Sequence, residues 1–148
     1  MSQATHTPAL IQSTPSRPPL RLALLAAATI GAAIGLAATL DPGSPQAVAD
    51  AGAELTRLLR AMAAIKLVLA AGVVWLIDWR LRFPVSPHRA AAYIAATAIM
   101  ATGPGLIWAM SHIVLGAALL HGASATLLVL LYRDPGSPAM AWAACRTR

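Results

Sequence analysis

Few side chains in the long apolar stretches of this sequence can take part in chemistry. They are Lys66, His112 and His121, with the hydroxyl residues Ser111, Ser124 and Thr126 close to the histidines. A protonated lysine beside a neutral imidazole forms a polar site that can bind an anion, a quinone carbonyl or a chain of water molecules. We therefore take Lys66, His121 and Ser124 as the candidate polar site within the apolar stretches.

The spacing of Lys66 and His121 from nearby arginines predicts that they lie at one level. Lys66 precedes Arg80 by 14 residues and His121 precedes Arg133 by 12, which is about 21 Å and about 18 Å of helix. Two alternatives stay open. Lys66 can snorkel outward, since it lies close to Arg60 and helical side chains lean toward the N-terminus. His121 can bond only to a backbone carbonyl or hydroxyl of a neighbouring helix.

The sequence contains few of the residue patterns that bind metal or haem or that carry out the chemistry of soluble enzymes. His112 and His121 are nine positions apart, on opposite sides of a helix, so they cannot bind one metal or haem together. The single cysteine, Cys145, excludes a thiolate cage, and there is no HExxH, GxSxG or phosphate-binding glycine loop. We predict no catalytic residue, no metal and no cofactor. Haem shared by two copies of His121, or quinone binding, remains a third hypothesis.

The composition places these residues in a membrane. The chain is 58% hydrophobic and 11% charged, with a mean hydropathy of +0.68, which leaves too little polar surface to coat a soluble globule. The net charge of +6 does not indicate nucleic acid, because the arginines fall between apolar runs instead of forming one patch. The sequence predicts an all-α integral membrane four-helix bundle.

Turn residues divide the chain into predicted segments. Membrane helices are predicted at about 22–40, 61–80, 87–102 and 106–132, the second with an amphipathic extension from about 45. The caps are Ser44 before Pro45 and Ser86 before Pro87. The predicted turn between the last two helices is 102–105; the alternative is a kinked helix through Pro104 to about Met110. Residues 1–20 are predicted to be a disordered leader and 135–148 a short tail.

Arginine distribution predicts the orientation. Eight arginines lie on the side of the termini and only Arg57 and Arg60 on the other, so both termini are predicted to be cytoplasmic in a bacterial-type inner membrane. The predicted interface anchors are Trp75, Trp79, Arg80, Arg82, Trp108, Tyr132 and Arg133. An alternative, a secretory signal cleaved after Ala49, would remove the first helix and leave the orientation of the others unchanged.

Small residues predict where helices approach closely. The first helix repeats Ala27, Gly31, Gly35 and Thr39 every four residues, and the fourth has a weaker stripe with Ala118 and Gly122. The first stripe is expected to pack on another helix of the chain, the alternative being a homodimer.

The small-residue stripes and the lack of catalytic residues favour a non-catalytic accessory or assembly subunit, with the lipid bilayer and other membrane subunits, or further copies of the chain, as partners. The alternative is a small transporter or channel lined by Lys66 and His121.

Overall fold

The computed structural model describes residues 18–134, and within them the chain forms helices and short connections without a strand. The helices are α1 (Pro18–Ala37), α2 (Gly43–Arg80), α3 (Pro87–Ala109) and α4 (Ile113–Tyr132), and a turn of 3-10 helix at Ala38–Leu40 follows α1. All four are long and apolar enough to cross a membrane. The all-α class with four such helices is confirmed. The predicted leader and tail lie outside the described residues, except that 18–20 already belong to α1.

The third helix is central and the most buried of the four. α1 and α4 pack extensively along α3, and α2 packs along it over a shorter stretch. The core contains Leu24 of α1, Ile77 of α2, Tyr93 and Met100 of α3, and Leu127 of α4. α3 can be surrounded in this way because many of its residues are Ala, Gly or Thr, which let neighbouring backbones come close.

Glycines mark the closest approaches to α3. A Cβ atom on Gly31 would overlap the carbonyl of Ala98, and one on Gly35 would overlap that of Thr102. On α4, a Cβ on Gly116 would lie 2.7 Å from the carbonyl oxygen of Gly103 in α3. The glycine stripe of α1 therefore packs on a helix of the same chain, where a larger side chain would push the helices apart.

The predicted turn at 102–105 is wrong, because these residues lie inside α3, which continues to Ala109. Pro104 has no N–H to donate to Met100, yet the helix tolerates it because α1 and α4 bury this segment on both sides. The chain turns instead after Met110, whose φ of 62° places a non-glycine residue in the left-handed region. The helices are thus 23 and 20 residues long, in place of the unequal lengths predicted.

The second helix is a long helix with one break. Gly52 has φ 75° and ψ 167°, a conformation that ends one helical segment and begins the next. The amphipathic extension predicted from about 45 to the start of the membrane helix at 61 is helical, and this break lies within it. Ser44 was predicted to cap this helix, but its hydroxyl donates to the carbonyl of Ala109 at the end of α3, so it ties α2 to α3.

Candidate polar site between two helices

Lys66 of α2 and His121 of α4 meet in the structure. Lys66 Nζ lies 3.4 Å from His121 Nε2. The two helices are held at this separation by α3, on which both of them pack. The buried residues of α2 include Thr56, Ala63, Ala70 and Ile77, whose spacing by sevens is typical of a left-handed helix crossing. Lys66 thus points across to α4 and does not run along α2 toward Arg60.

The hydrogen bonds of His121 fix which of its nitrogens carries the proton. Nδ1 lies 2.7 Å from the carbonyl oxygen of Ala117, four residues earlier on the same helix. A carbonyl oxygen only accepts, so Nδ1 must be the donor. In a neutral imidazole Nε2 then has a free lone pair, and this is the atom that faces the Lys66 ammonium. The pair therefore matches a protonated lysine and a neutral histidine, with one positive charge between them.

No carboxylate of this chain lies near that charge along its helix. The five acidic residues of the sequence are Asp41, Asp50, Glu54, Asp78 and Asp134. Glu54 and Asp78, the acidic residues nearest on α2, are each 12 positions from Lys66, which is about 18 Å of helix. Asp78 is already paired with Arg21, and Asp134 with Arg80 and Arg89. Lys66 is thus left without a counter-charge from the described residues.

The pair lies on an open surface of the helix assembly. His121 is exposed and Lys66 is half-buried. Helical spacing places exposed neighbours beside each of them. We call this surface the Lys66 face, and its residues are Met62, Lys66, Leu69, His121, Ala125 and Leu128. It consists of apolar side chains around one ammonium and one imidazole.

The third residue of the predicted site does not join the pair. The Ser124 hydroxyl donates to the carbonyl of Leu120 at 2.6 Å, within its own helix. His112 lies just before the N-terminus of α4, where its Nε2 is 3.6 Å from Asp41.

The small residues Ala118 and Gly122 border an open groove between α3 and α4, and a Cβ on Gly122 would meet no atom within 4 Å. The close approach of α4 to α3 is made at Gly116 instead.

The remaining residues of the first stripe and the predicted anchors have varied positions. Thr39 is exposed and its hydroxyl donates to Leu36, and Ala27 is half-buried. Trp75 and Tyr132 are exposed, as expected of residues that face lipid headgroups. The Trp79 ring contacts Phe83 edge to face, and the Arg60 guanidinium lies 5.5 Å above the Trp108 ring. Arg133 is exposed.

Arg80, one of the predicted interface anchors, is buried in the structure. Its side chain is 1% exposed and forms a 2.6 Å ion pair with Asp134, which is 3% exposed. Arg89 and the Tyr93 hydroxyl contact the same carboxylate at 3.2 Å. Arg80 is buried because this pair joins the last turn of α2 to the end of α4. Its Nε and Nη1 make no hydrogen bond with the described residues.

A second ion-pair group lies near the same helix ends. Asp78 accepts two hydrogen bonds from Arg21, at 2.7 and 2.9 Å, and a longer one of 3.4 Å from Arg82. The four-residue spacing of Asp78 and Arg82 favours a local pair, whereas partners 57 positions apart leave no periodic signal in the sequence. We refer to these two groups together as the arginine-rich end: Arg21, Asp78, Arg80, Arg82, Arg89, Tyr93 and Asp134.

An apolar groove lies between α1, α2 and α3 in another part of the molecule. Its volume is about 260 Å³, and it is lined by Ala32, Leu36, Ala63, Ala64, Leu67, Ala101, Pro104, Gly105 and Trp108. Neither Lys66 nor His121 lines this groove. It therefore offers no polar lining that would extend the Lys66–His121 pair into a path across the helices.

Comparison of the chain with protein-family models, with curated proteins and with solved structures finds no match in any of the three. The functional argument therefore depends on the geometry of the chain itself.

Proposed function

We propose that the protein is a non-catalytic accessory or assembly subunit of a larger complex in a bacterial-type inner membrane, and that it docks through the Lys66 face. In this proposal the arginine-rich end lies on the cytoplasmic side together with both termini, since arginine is enriched in cytoplasmic loops. The lipid bilayer and another membrane subunit are then its partners.

The observation that carries the proposal is the uncompensated ammonium of Lys66 on an open face. On insertion scales a lysine costs about 2.5–3.5 kcal/mol at the centre of a membrane helix, and a lysine closer to one end, as Lys66 is to Arg60, costs part of this. The single 3.4 Å contact with His121 offsets little of this, because hydrogen bonds between membrane helices average about 0.6 kcal/mol. A partner that covers the Lys66 face would remove the ammonium from lipid and supply what the chain lacks.

Transport is the second candidate, because the N–H groups of Lys66 not directed at His121 also suit a small anion. It predicts that liposomes containing the protein accumulate chloride or another small anion. Flux should fall to the level of empty liposomes with Lys66→Met. Unchanged flux in this variant would remove the basis for a transport function at this site.

Site-directed photocrosslinking in cells tests the docking proposal. A photoreactive phenylalanine analogue at Met62 or Leu69, on the Lys66 face, should crosslink to one protein that mass spectrometry identifies. The same probe at Ile30 or Ile34, which are exposed on α1, is the matched control and should crosslink only to lipid. Introducing Lys66→Met should abolish the protein crosslink. Crosslinks of equal yield from both faces, or a crosslink that survives Lys66→Met, would contradict the proposal.

A further inference from the structure

We propose that the partner helix carries an aspartate or glutamate within the membrane, and that this carboxylate forms an ion pair with Lys66 beside His121. This inference rests on the proposed function and specifies the chemistry of its partner.

Charge selects the ligand. His121 donates from Nδ1 to Ala117 and turns Nε2 toward Lys66, so the imidazole supplies no counter-charge. The site therefore has a single positive charge, which one carboxylate neutralises. A ketone or an amide carbonyl could accept a hydrogen bond from the ammonium but would leave the charge uncompensated in an apolar environment.

Hydrogen-bond geometry gives the same answer. An ammonium has three N–H donors, and in the described residues one of them is directed at His121 Nε2. The two others are available to the two oxygens of a carboxylate. His121 then serves as a positioning residue, because its contact holds the Lys66 head group on the open face and keeps it from extending toward Arg60.

A second copy of this chain does not meet the requirement. The apolar stretches of all four helices, residues 22–40, 61–77, 87–109 and 113–132, contain no Asp or Glu. Two Lys66 faces brought together would place two ammonium groups in contact, which is repulsive in an apolar medium. The partner must therefore be a different membrane protein.

Lipid phosphate is a poorer match than a membrane helix. Lys66 is six positions from Arg60, about 9 Å farther along the helix. Arg60 and Trp108 already mark the level of the headgroups at that end. Met62, Leu69 and Leu128 around Lys66 are apolar and exposed, so a helix with an apolar surface complements them better than a charged headgroup does.

A synthetic membrane helix tests the inference directly. The probe is a Leu/Ala helix with one Glu placed at the depth of Lys66, labelled for energy transfer, and the matched peptides carry Gln or Leu there. In phosphatidylcholine vesicles with the full chain, the Glu peptide should associate about tenfold more tightly than the Gln peptide, because a charge-assisted bond exceeds a neutral one by about 1.4 kcal/mol. Equal association of the two peptides would overturn the inference.

Variants of the chain test whether the Lys66 ammonium causes the preference for the Glu peptide. Lys66→Met should abolish the preference for the Glu peptide, Lys66→Arg should retain most of it, and Arg57→Met, which removes an exposed positive charge outside the face, should retain all of it. Loss of binding on adding phosphatidylglycerol would show that an anionic lipid headgroup occupies the site, and it would contradict the inference. A preference for the Glu peptide that persists in Lys66→Met would also contradict the inference.

The two proposals fail in different ways. If cells show a Lys66-dependent crosslink but the Glu peptide is not preferred, the subunit function stands and the carboxylate is wrong. If the Glu peptide is preferred but no protein crosslinks at Met62 or Leu69, the site binds a carboxylate and the subunit function is wrong.

Discussion

The arginine-rich end and the Lys66 face differ in whether the chain compensates its own charges. At the arginine-rich end, Asp78 and Asp134 each contact two arginines of the same chain, and the Arg80–Asp134 pair is almost fully buried. On the Lys66 face the ammonium meets only a neutral imidazole. Both regions are held by packing on α3, so the difference lies in whether the chain supplies its own counter-charge.

This difference separates a structural role from an interaction role. A compensated ion pair that joins the ends of two helices fixes their relative position, and removing one partner exposes the other charge to an environment that cannot solvate it. An uncompensated charge on an open face contributes little to the free energy of unfolding of the isolated chain. It becomes favourable only when a partner that supplies the counter-charge binds. Stability measurements on variants from the two regions should therefore diverge.

The largest effect is expected from Arg80→Met. It leaves the Asp134 carboxylate buried, and we expect a loss of about 3 kcal/mol in the free energy of unfolding, the low end of the range for a broken buried pair, because Arg89 and Tyr93 still contact Asp134. Denaturation in mild detergent, titrated with sodium dodecyl sulfate, measures it. Arg82→Met is the matched control, since Arg82 is 50% exposed and should cost about 0.5 kcal/mol or less. Equal losses in both variants would show that burial does not distinguish the pairs.

An intermediate effect is expected where α4 is fixed against α3. Gly116→Leu places a side chain where even a Cβ would lie 2.7 Å from the Gly103 carbonyl oxygen. Overpacking should therefore lower the free energy of unfolding by about 1–3 kcal/mol. Gly122→Leu on the same helix enters open space and should change the unfolding free energy by no more than about 0.5 kcal/mol. The same detergent titration compares them. A greater loss for Gly122→Leu would mean that α4 packs on α3 through a different face, and the contact of His121 with Lys66 would then fail as well.

The smallest effect on the isolated chain is expected from Lys66→Met. It removes one 3.4 Å contact, so the unfolding free energy should change by about 0.6 kcal/mol or less. The photocrosslink at Met62 should nevertheless disappear. A loss comparable to that of Arg80→Met would show that Lys66 stabilises the fold, and the contrast between the two regions would no longer hold.

Local sequence features predicted that Lys66 and His121 lie at one level, and the 3.4 Å contact between them agrees with this. Counting residues from Arg80 and Arg133 placed Lys66 and His121 at one depth, because the rise of a helix is fixed. Whether the lysine snorkels toward Arg60 or reaches across to α4 depends on how α3 spaces its neighbours, and no local pattern contains that. Ser124 was included because it lies near His121 in sequence, but its own helix satisfies its hydroxyl.

The wrong turn at 102–105 has a related cause. Gly103, Pro104 and Gly105 break helices in water, where freed backbone groups gain solvent and glycine gains entropy. In this bundle the same residues are valuable inside α3, since they let α1 and α4 reach its backbone. The actual turn depends on Met110, a residue type with no preference for the left-handed conformation that it adopts.

The sequence by itself determined the class of the protein: four apolar helices, a charge distribution concentrated at their ends, and a single lysine within an apolar run. These follow from composition and spacing, which are properties of the chain alone. Only the tertiary structure decided which distant arginines Asp78 and Asp134 bind and which nitrogen of His121 faces Lys66. Those choices depend on distances between residues that are 41 to 57 positions apart, and helix packing alone sets such distances.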